Sequence, residues 1–266
     1  MLGSLPLVVL LAAAPETPPL PEGNAYVRAL VSGQRSREEA LNRYTYDVEE
    51  IEEDLDAKGL VSKTETRRYE VFHVKGRPIR KQVAQNGRPL EGAAAQKEER
   101  RVKEKVDDVL DDRTTRELPE VRLSQVLARY DFEAVGREEV DGRSTLVFSF
   151  APVPGKRDLE ADFVLRRLAG RIWVDEEERQ LVRAELRNTD KIKIAFGLGA
   201  SVSSLDMTLA FRKIEDGVWL PSRIVFGASG KKFMFVGFKV RTSALYARYR
   251  RFEADTESET MKPPPP

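Results

Sequence analysis

The chain has 266 residues, of which 41% are hydrophobic and 33% are charged, and its 45 basic side chains nearly balance its 44 acidic ones. Because charges of both signs are interspersed, composition argues against a nucleic-acid-binding protein and against electrostatic attraction of an acidic substrate. The chain contains no cysteine, which excludes disulfides, zinc–thiolate sites and a thiol nucleophile.

The N-terminus carries a short apolar run, "LPLVVLLAAA", that ends in small residues at Ala14. This pattern is typical of a secretory signal peptide, and the run is shorter than the roughly 20 apolar residues that span a bilayer. The alternative interpretations of this run are a buried N-terminal strand and an uncleaved membrane anchor. We therefore expect a signal peptide over 1–14, a linker over 15–23, one folded domain over 24–252 and a disordered tail over 253–266. Such a protein would reside in the periplasm or cell envelope.

Helical patterns are few. Asn24 begins a predicted short helix that Gly33 ends, and a capping box at Ser36 begins a second one that reaches Arg43. A helical insertion is predicted over about 92–130, where a narrow stripe of valines lies on a highly charged helix. A further helix is predicted over 158–168.

Alternation of apolar and polar residues predicts about eleven strands, which is the dominant signal in the chain. They begin at Tyr44 and continue over 61–74, 79–85, 132–140, 144–151, 171–174, 181–188, 191–196, 202–214, 218–226 and 232–249. Turn signals stand at Asn86-Gly87, Asp141-Gly142, Asp216-Gly217 and Ser229-Gly230. Such short connections join antiparallel neighbours. The predicted fold class is therefore mainly β (α+β): one large, curved antiparallel sheet covered by a few short helices.

No pattern in the sequence indicates catalysis, a metal site or a cofactor. The acids of Asp175–Glu178 are consecutive, whereas a Ca²⁺ loop places acids at alternate positions, so we predict a solvated turn between two strands. The single histidine, His73, lies in mid-strand without a nucleophile motif, which favours a structural role. We expect a protein that is not an enzyme.

The strands have one polar, solvent-exposed face and one apolar face, and the apolar face must be buried against other parts of the protein. Either the helices fill it completely and form an ordinary core, or they leave a cavity for an apolar ligand. Alternation alone leaves both interpretations open.

Several motifs resemble the LolA/LolB-like outer-membrane lipoprotein-sorting proteins. They are "GRIWVD" (170–175), "LVRAEL" (181–186), "EDGVWLPSRIVF" (215–226) and "YARYRRFEAD" (246–255), with Trp173, Asp175, Trp219 and Pro221 as the most distinctive positions. The resemblance implies an incomplete β-barrel closed by helices, which holds acyl chains on its concave face and is not an enzyme. Since the chain has no cysteine, it does not imply a lipid-anchored receptor.

The first functional hypothesis is therefore an envelope carrier or binding protein for a hydrophobic ligand. Its expected ligand-binding residues are Ile172, Val174, Ile194, Met207, Phe211, Phe226 and Phe235. The expected partners are a lipid or a lipidated protein. An envelope protein and peripheral contact with a membrane are also compatible with this hypothesis, whereas nucleic acid is not expected. The second hypothesis is an envelope interaction or sensor module with the same fold and a filled core, which makes contacts through its charged helix and Pro-rich tail.

Overall fold

The computed structural model describes residues 18–113, 127–155, 162–194, 200–215, 217–233 and 235–252, without the side chains of 32–39 and of Ile194. The predicted signal peptide and tail lie outside these residues. The helices are α1 (Gly23–Leu41), α2 (Gly92–Leu110) and α3 (Asp162–Leu165). The strands are β1 (Tyr44–Leu55), β2 (Val61–Val74), β3 (Arg77–Gln85), β4 (Arg88–Pro89), β5 (Tyr130–Val140), β6 (Arg143–Pro152), β7 (Leu168–Asp175), β8 (Leu181–Asn188), β9 (Ile192–Ile194), β10 (Ala200–Lys213), β11 (Trp219–Lys232) and β12 (Val236–Arg251).

All twelve described strands belong to one antiparallel sheet, in the order β4-β3-β2-β1-β12-β11-β10-β8-β7-β6-β5, and β9 pairs with β10. The sheet does not close into a barrel. The predicted fold class is thus confirmed. Most neighbours in the sheet are also neighbours in sequence, as the hairpin signals predict, and the pairing of β1 with β12 joins the two ends of the chain.

The prediction of two short N-terminal helices is wrong, because α1 runs unbroken through Gly33 and Ser36. Glycine in a helix interior costs only about 1 kcal/mol relative to alanine, which tertiary packing readily exceeds. That packing comes from both halves of α1: Val27, 1% exposed, packs on β5–β7, and Leu41 packs on Tyr46 of β1.

The predicted turn at Ser229-Gly230 is also wrong, since β11 continues to Lys232 and the hairpin turns at Phe233 and Phe235. Gly230 serves close packing instead. A Cβ at this position would lie 2.0 Å from the carbonyl oxygen of Ser201 on β10. Glycine inside a strand often marks such a close backbone approach.

Both exposed edges of the sheet are covered by polar side chains from helices. At β5, the N–H of Phe132 donates to Oδ1 of Asn24 in α1 (2.8 Å). At β3, the N–H of Gln82 donates to Glu98 of α2 (2.6 Å), and Arg101 donates to the carbonyl of Arg80. Unpaired edge groups invite pairing with other chains, so these contacts protect the sheet.

The predicted insertion over 92–130 is described as α2 up to Leu110, and residues 114–126 lie outside the description. Its valine stripe packs as expected: Val109 is 2% exposed, and Val102 and Val106 join it against Val74 and Ile79. Packing against these β2 and β3 side chains fixes α2 at the edge of the sheet.

Candidate functional site: the inner face of the sheet

We call the face of the sheet on which α1 packs its inner face. Residues directly opposite each other on paired strands point to the same face, so the register defines its rows. One row runs through Ala134, Phe148, Ile172, Ala184, Leu209, Ile224, Ala244, Glu50 and Arg67. The next runs through Phe132, Phe150, Gly170, Leu186, Met207, Phe226, Thr242, Glu52 and Glu65. Both rows are apolar from β5 to β11 and charged on β1 and β2.

The helix α1 fills the end of the inner face over β5–β8. Tyr26 stacks on Phe148 with ring centroids 5.3 Å apart, and Val27 enters the same cluster. Beneath it, Ile172 is 2% exposed and Val174 is fully buried. These two predicted ligand-binding residues therefore form core, and a ligand would reach them only after α1 is displaced.

The inner face of β10–β12 is less completely covered. Met207 and Phe226, which are cross-strand partners, are half-buried, and so are Leu205 and Val240 in the next row, on the two sides of Ala228. We call these four side chains the apolar stripe. Since partly covered apolar area is what a hydrophobic ligand can remove from water, the stripe is where the described structure offers a binding surface.

A network of ion pairs bounds the apolar stripe on β1–β3. Arg67 contacts Glu52 (3.1 Å), Glu65 (2.8 Å) and Glu50 (3.6 Å), and Arg80 contacts Glu50 at 2.7 Å. The hydrogen bond from Arg67 lowers the pKa of Glu65, so this carboxylate stays ionised to lower pH than a free one. Paired charges of both signs resist displacement by an alkyl chain, because breaking them would leave a partly buried charge unpaired.

The remaining predicted residues lie in different surroundings. Phe211 packs at the margin of the core under α1. Ile194 belongs to β9, and its side chain lies outside the description. Phe235 does not lie on a strand face as expected; it stands in the β11–β12 turn and is 77% exposed. Met207 and Phe226 are thus the predicted residues that the structure brings together on the accessible inner face.

Two broad surface depressions occur elsewhere. One, of about 970 Å³, crosses β5–β10 and includes outer-face charged side chains such as Asp131, Arg171 and Arg187. The other, of about 780 Å³, lies between β3 and α2. The apolar stripe contributes only Met207 to the first and nothing to the second.

The acids form a turn between two strands, as the sequence predicts, but the prediction that the turn is solvated is wrong for Asp175, which acts as a structural clamp. Asp175 is 1% exposed and accepts hydrogen bonds from Arg143 and from the N–H groups of Glu177 (3.1 Å) and Glu178 (2.7 Å). Burial raises the pKa of Asp175, but the hydrogen bonds from Arg143 and the two N–H groups outweigh burial and lower it overall. Charge-assisted contacts of this kind hold the β7–β8 turn against β6.

Both motif tryptophans donate to acidic side chains, and the clamp supplies the acceptor for one of them. The indole N–H of Trp219 donates to Glu178 (2.9 Å), which also contacts Arg143 and Lys213. The indole N–H of Trp173 donates to Glu138 on β5 (2.8 Å). Both tryptophans therefore use their indole N–H groups to join strands through acidic side chains. The sequence shows that both tryptophans can donate a hydrogen bond and that acids are available, but which acid each tryptophan contacts depends on the strand order.

His73 is buried at 6% exposure, and its Nδ1 contacts the carbonyl oxygen of Tyr44 at 3.2 Å. Burial lowers the pKa of His73, although the hydrogen bond to Tyr44 opposes this. Within the described ranges, no group of three or more His, Asp or Glu side chains has the arrangement of a metal site. Among the same residues, no helix combines the length and the hydropathy needed to cross a bilayer.

Comparisons with known proteins gave structural similarity alone, because no family model and no curated protein matches the sequence. A domain from Vibrio parahaemolyticus described as outer-membrane lipoprotein-sorting is 13% identical, covers 87% of this chain and 93% of its own, and has a TM-score of 0.40. A DUF1329 family protein from Desulfovibrio piger is 12% identical, with coverages of 89% and 95% and a TM-score of 0.37. A LolA superfamily protein from Nitrosomonas europaea is 11% identical, with coverages of 88% and 97% and a TM-score of 0.36.

The chain is therefore similar to LolA-superfamily and lipoprotein-sorting structures, as the motif resemblance predicts. Because every one of these TM-scores is below 0.5, the fold rests on the strand order and register of the chain itself.

Proposed function

We propose that this chain is a non-enzymatic carrier or binding protein of the cell envelope, which holds the hydrophobic part of a lipid or lipidated protein against its inner face. The observation that supports the proposal is the apolar stripe of Leu205, Met207, Phe226 and Val240, left half-buried beside α1. Fully packed cores do not leave neighbouring large apolar side chains partly open on the same face.

The charged boundary on β1–β3 supports an amphipathic ligand over a purely apolar one. A chain that continues from Phe226 along its row would meet Thr242 and then Glu52, with Glu50 in the neighbouring row opposite Ala244. An alkyl segment gains by covering the stripe, whereas a polar head group gains by lying at the ion pairs. A ligand with an alkyl segment and a polar head group therefore matches the change from apolar to charged side chains across the sheet.

Binding of a fluorescent fatty acid tests the proposal. Phe226→Ala removes a large inner-face side chain, and we expect it to weaken binding about tenfold. Val225→Ala is the matched control, because Val225 is the preceding residue of β11, is also half-buried and points to the outer face. Binding that is absent from the wild type, or that both variants weaken equally, would contradict the proposal.

The filled end of the inner face favours a second candidate, an envelope interaction or sensor module. Phe148 and Val174 are fully buried under α1, as an ordinary core would be. The partner would then bind elsewhere, and the exposed charged side of α2 is the expected surface. Deleting α2 would expose Val74 and Ile79, so charge reversal at Lys97, Arg100 and Lys103 is the better test. Loss of a co-purifying envelope protein from this variant, without fatty-acid binding by the wild type, would favour the second candidate.

A further inference from the structure

Exposed large hydrophobic side chains concentrate at one end of the sheet. Nine are described in the chain, and five of them lie in or beside the β1–β2 and β11–β12 turns. They are Leu60 (64% exposed), Val61 (49%), Phe233 (48%), Phe235 (77%) and Val236 (46%). We call them the apolar tip. A clustered, strongly exposed set of this kind differs from scattered surface leucines and marks an interaction site.

The two turns are adjacent, because β1 pairs with both β2 and β12. A Cβ on Gly59 in the first turn would lie 3.0 Å from Nζ of Lys239, close to the second turn. Phe233 adopts a φ of 52°, a left-handed conformation that glycine or asparagine would adopt at lower cost. An aromatic side chain therefore occupies this turn although the backbone there does not favour one.

Lysines surround the apolar tip. Lys58 and Lys239 are exposed near the first turn, and Lys231 and Lys232 are exposed immediately before the second. Within the described parts of the chain, none of these four lysines forms an ion pair with an acid. Asp56 is the acid of the first turn and accepts hydrogen bonds from the N–H groups of Lys58 and Leu60, and the four lysines outnumber its single negative charge. The tip is thus locally basic although the whole chain has a net charge of only +1.

Aromatic and aliphatic side chains ringed by unpaired lysines match the chemistry of an anionic bilayer surface. The apolar groups enter the boundary between head groups and acyl chains, and the lysines contact lipid phosphates. Nζ of Lys232 lies 5.3 Å from the centroid of the Phe238 ring, a cation–π contact that keeps a positive charge beside the aromatic side chains near the tip. We propose that the apolar tip docks this protein on an anionic lipid bilayer.

The position of the tip relates it to the inner face. Phe238, Val240 and Ala228 continue along inner-face rows from the β11–β12 turn toward Phe226. Docking through the tip would place the open end of the apolar stripe against the bilayer. The docking surface nevertheless stands on its own observations and does not require that the stripe holds a ligand.

Co-sedimentation with vesicles tests the proposal, using phosphatidylcholine alone and phosphatidylcholine with phosphatidylglycerol. We expect binding to the anionic vesicles, weakened by salt. Phe235→Ser should weaken it about tenfold. The double variant Lys231→Glu/Lys232→Glu should weaken it by at least about fivefold per lysine. Both changes fall on exposed turn or strand-end residues, so folding should be retained, as a thermal melt would verify.

Matched controls distinguish the tip from general surface effects. Leu110→Ser removes an exposed apolar side chain outside the tip (49% exposed, against 77% for Phe235), and Lys103→Glu reverses an exposed charge on α2. Neither should change vesicle binding. In Phe235→Trp, the new indole should be quenched by brominated lipid, while the native Trp173 and Trp219, 4% and 9% exposed, should not.

Absence of vesicle binding, or equal effects of Phe235→Ser and Leu110→Ser, would overturn the proposal. A concentration-dependent dimer that Phe235→Ser abolishes, found without vesicle binding, would also overturn it, because the tip would then contact a second copy. Fatty-acid binding in solution without vesicle binding would overturn the docking surface alone and leave the proposed function standing.

Discussion

Replacing Asp175 by alanine should destabilise the protein by about 3 kcal/mol, which is large for a single acid in a turn. The carboxylate is 1% exposed and accepts four hydrogen bonds, two from Arg143 and one each from the N–H groups of Glu177 and Glu178. Breaking a buried pair typically costs about 3–5 kcal/mol, and the lower end applies because the side chain of Arg143 is 32% exposed and regains water. A domain of this size loses about 2–4 °C per kcal/mol, so we expect the melting temperature to fall by about 6–12 °C.

Thermal unfolding followed by circular dichroism measures this effect, with Glu177→Ala as the control. Glu177 lies in the same turn, but its side chain is 88% exposed, so its removal should cost less than about 0.5 kcal/mol. Asp175→Asn keeps an oxygen acceptor for the two N–H groups, so its melting temperature should lie between those of Asp175→Ala and Glu177→Ala. If Asp175→Ala and Glu177→Ala shift the melting temperature equally, the clamp is wrong and the turn is merely solvated.

Two further variants test the buried histidine and the close approach of β10 to β11. Burial lowers the pKa of His73 below its ordinary value near 6.5, so the unfolded chain binds this proton more readily, and stability should fall as pH drops below about 6.5. His73→Asn retains a donor for the Tyr44 carbonyl, and its urea midpoint should lack the fall below pH 6.5 that is due to His73. A pH profile of the urea midpoint that is the same in the variant and the wild type would refute this role of His73. Gly230→Ala places a Cβ 2.0 Å from the Ser201 carbonyl oxygen and should lower the free energy of unfolding by about 1–3 kcal/mol. Gly237→Ala, where a Cβ would have nothing within 4 Å, should leave it almost unchanged. Equal melting temperatures of the two variants would contradict the assigned register.

Local patterns in the sequence were sufficient for the sheet, because alternation and two-residue turn signals depend only on neighbouring residues. The strands predicted over 61–74 and 181–188 agree with β2 and β8 to the residue. The errors occur where tertiary contacts override local signals. Gly230 resembles a turn residue, but it lies within β11, and glycine is needed there because the backbone of β10 leaves no room for a side chain.

The candidate site was only partly predictable, because the rows of the inner face depend on strand order. Glu50 and Glu52 follow Val48 on the same face of β1, and only the pairing of β1 with β12 places them beside Ala244 and Thr242. Likewise, nothing local indicates that α1 would bury Ile172 and Val174 while leaving Phe226 partly open. Met207 and Phe226, both expected ligand-binding residues, are cross-strand partners, and this follows from the register of β10 and β11 and not from alternation within either strand.

The acids of the β7–β8 turn illustrate the same limit. Four consecutive acids predict a solvated turn when they are considered alone. Arg143 is 32 residues from Asp175 in sequence, and Trp219 is 41 residues from Glu178, yet both contact these acids. A long-range pairing of this kind becomes visible only when β6, β7 and β8 are known to be neighbours.

Native mass spectrometry with lipid extraction, on protein purified from an exporting host, tests the central claim most directly. We expect bound phospholipid or other acyl species that are released on denaturation, and a lower bound fraction in Phe226→Ala than in Val225→Ala. A protein of apo mass in every preparation, without uptake of fluorescent fatty acid, would contradict a carrier that holds acyl chains on the inner face of the sheet.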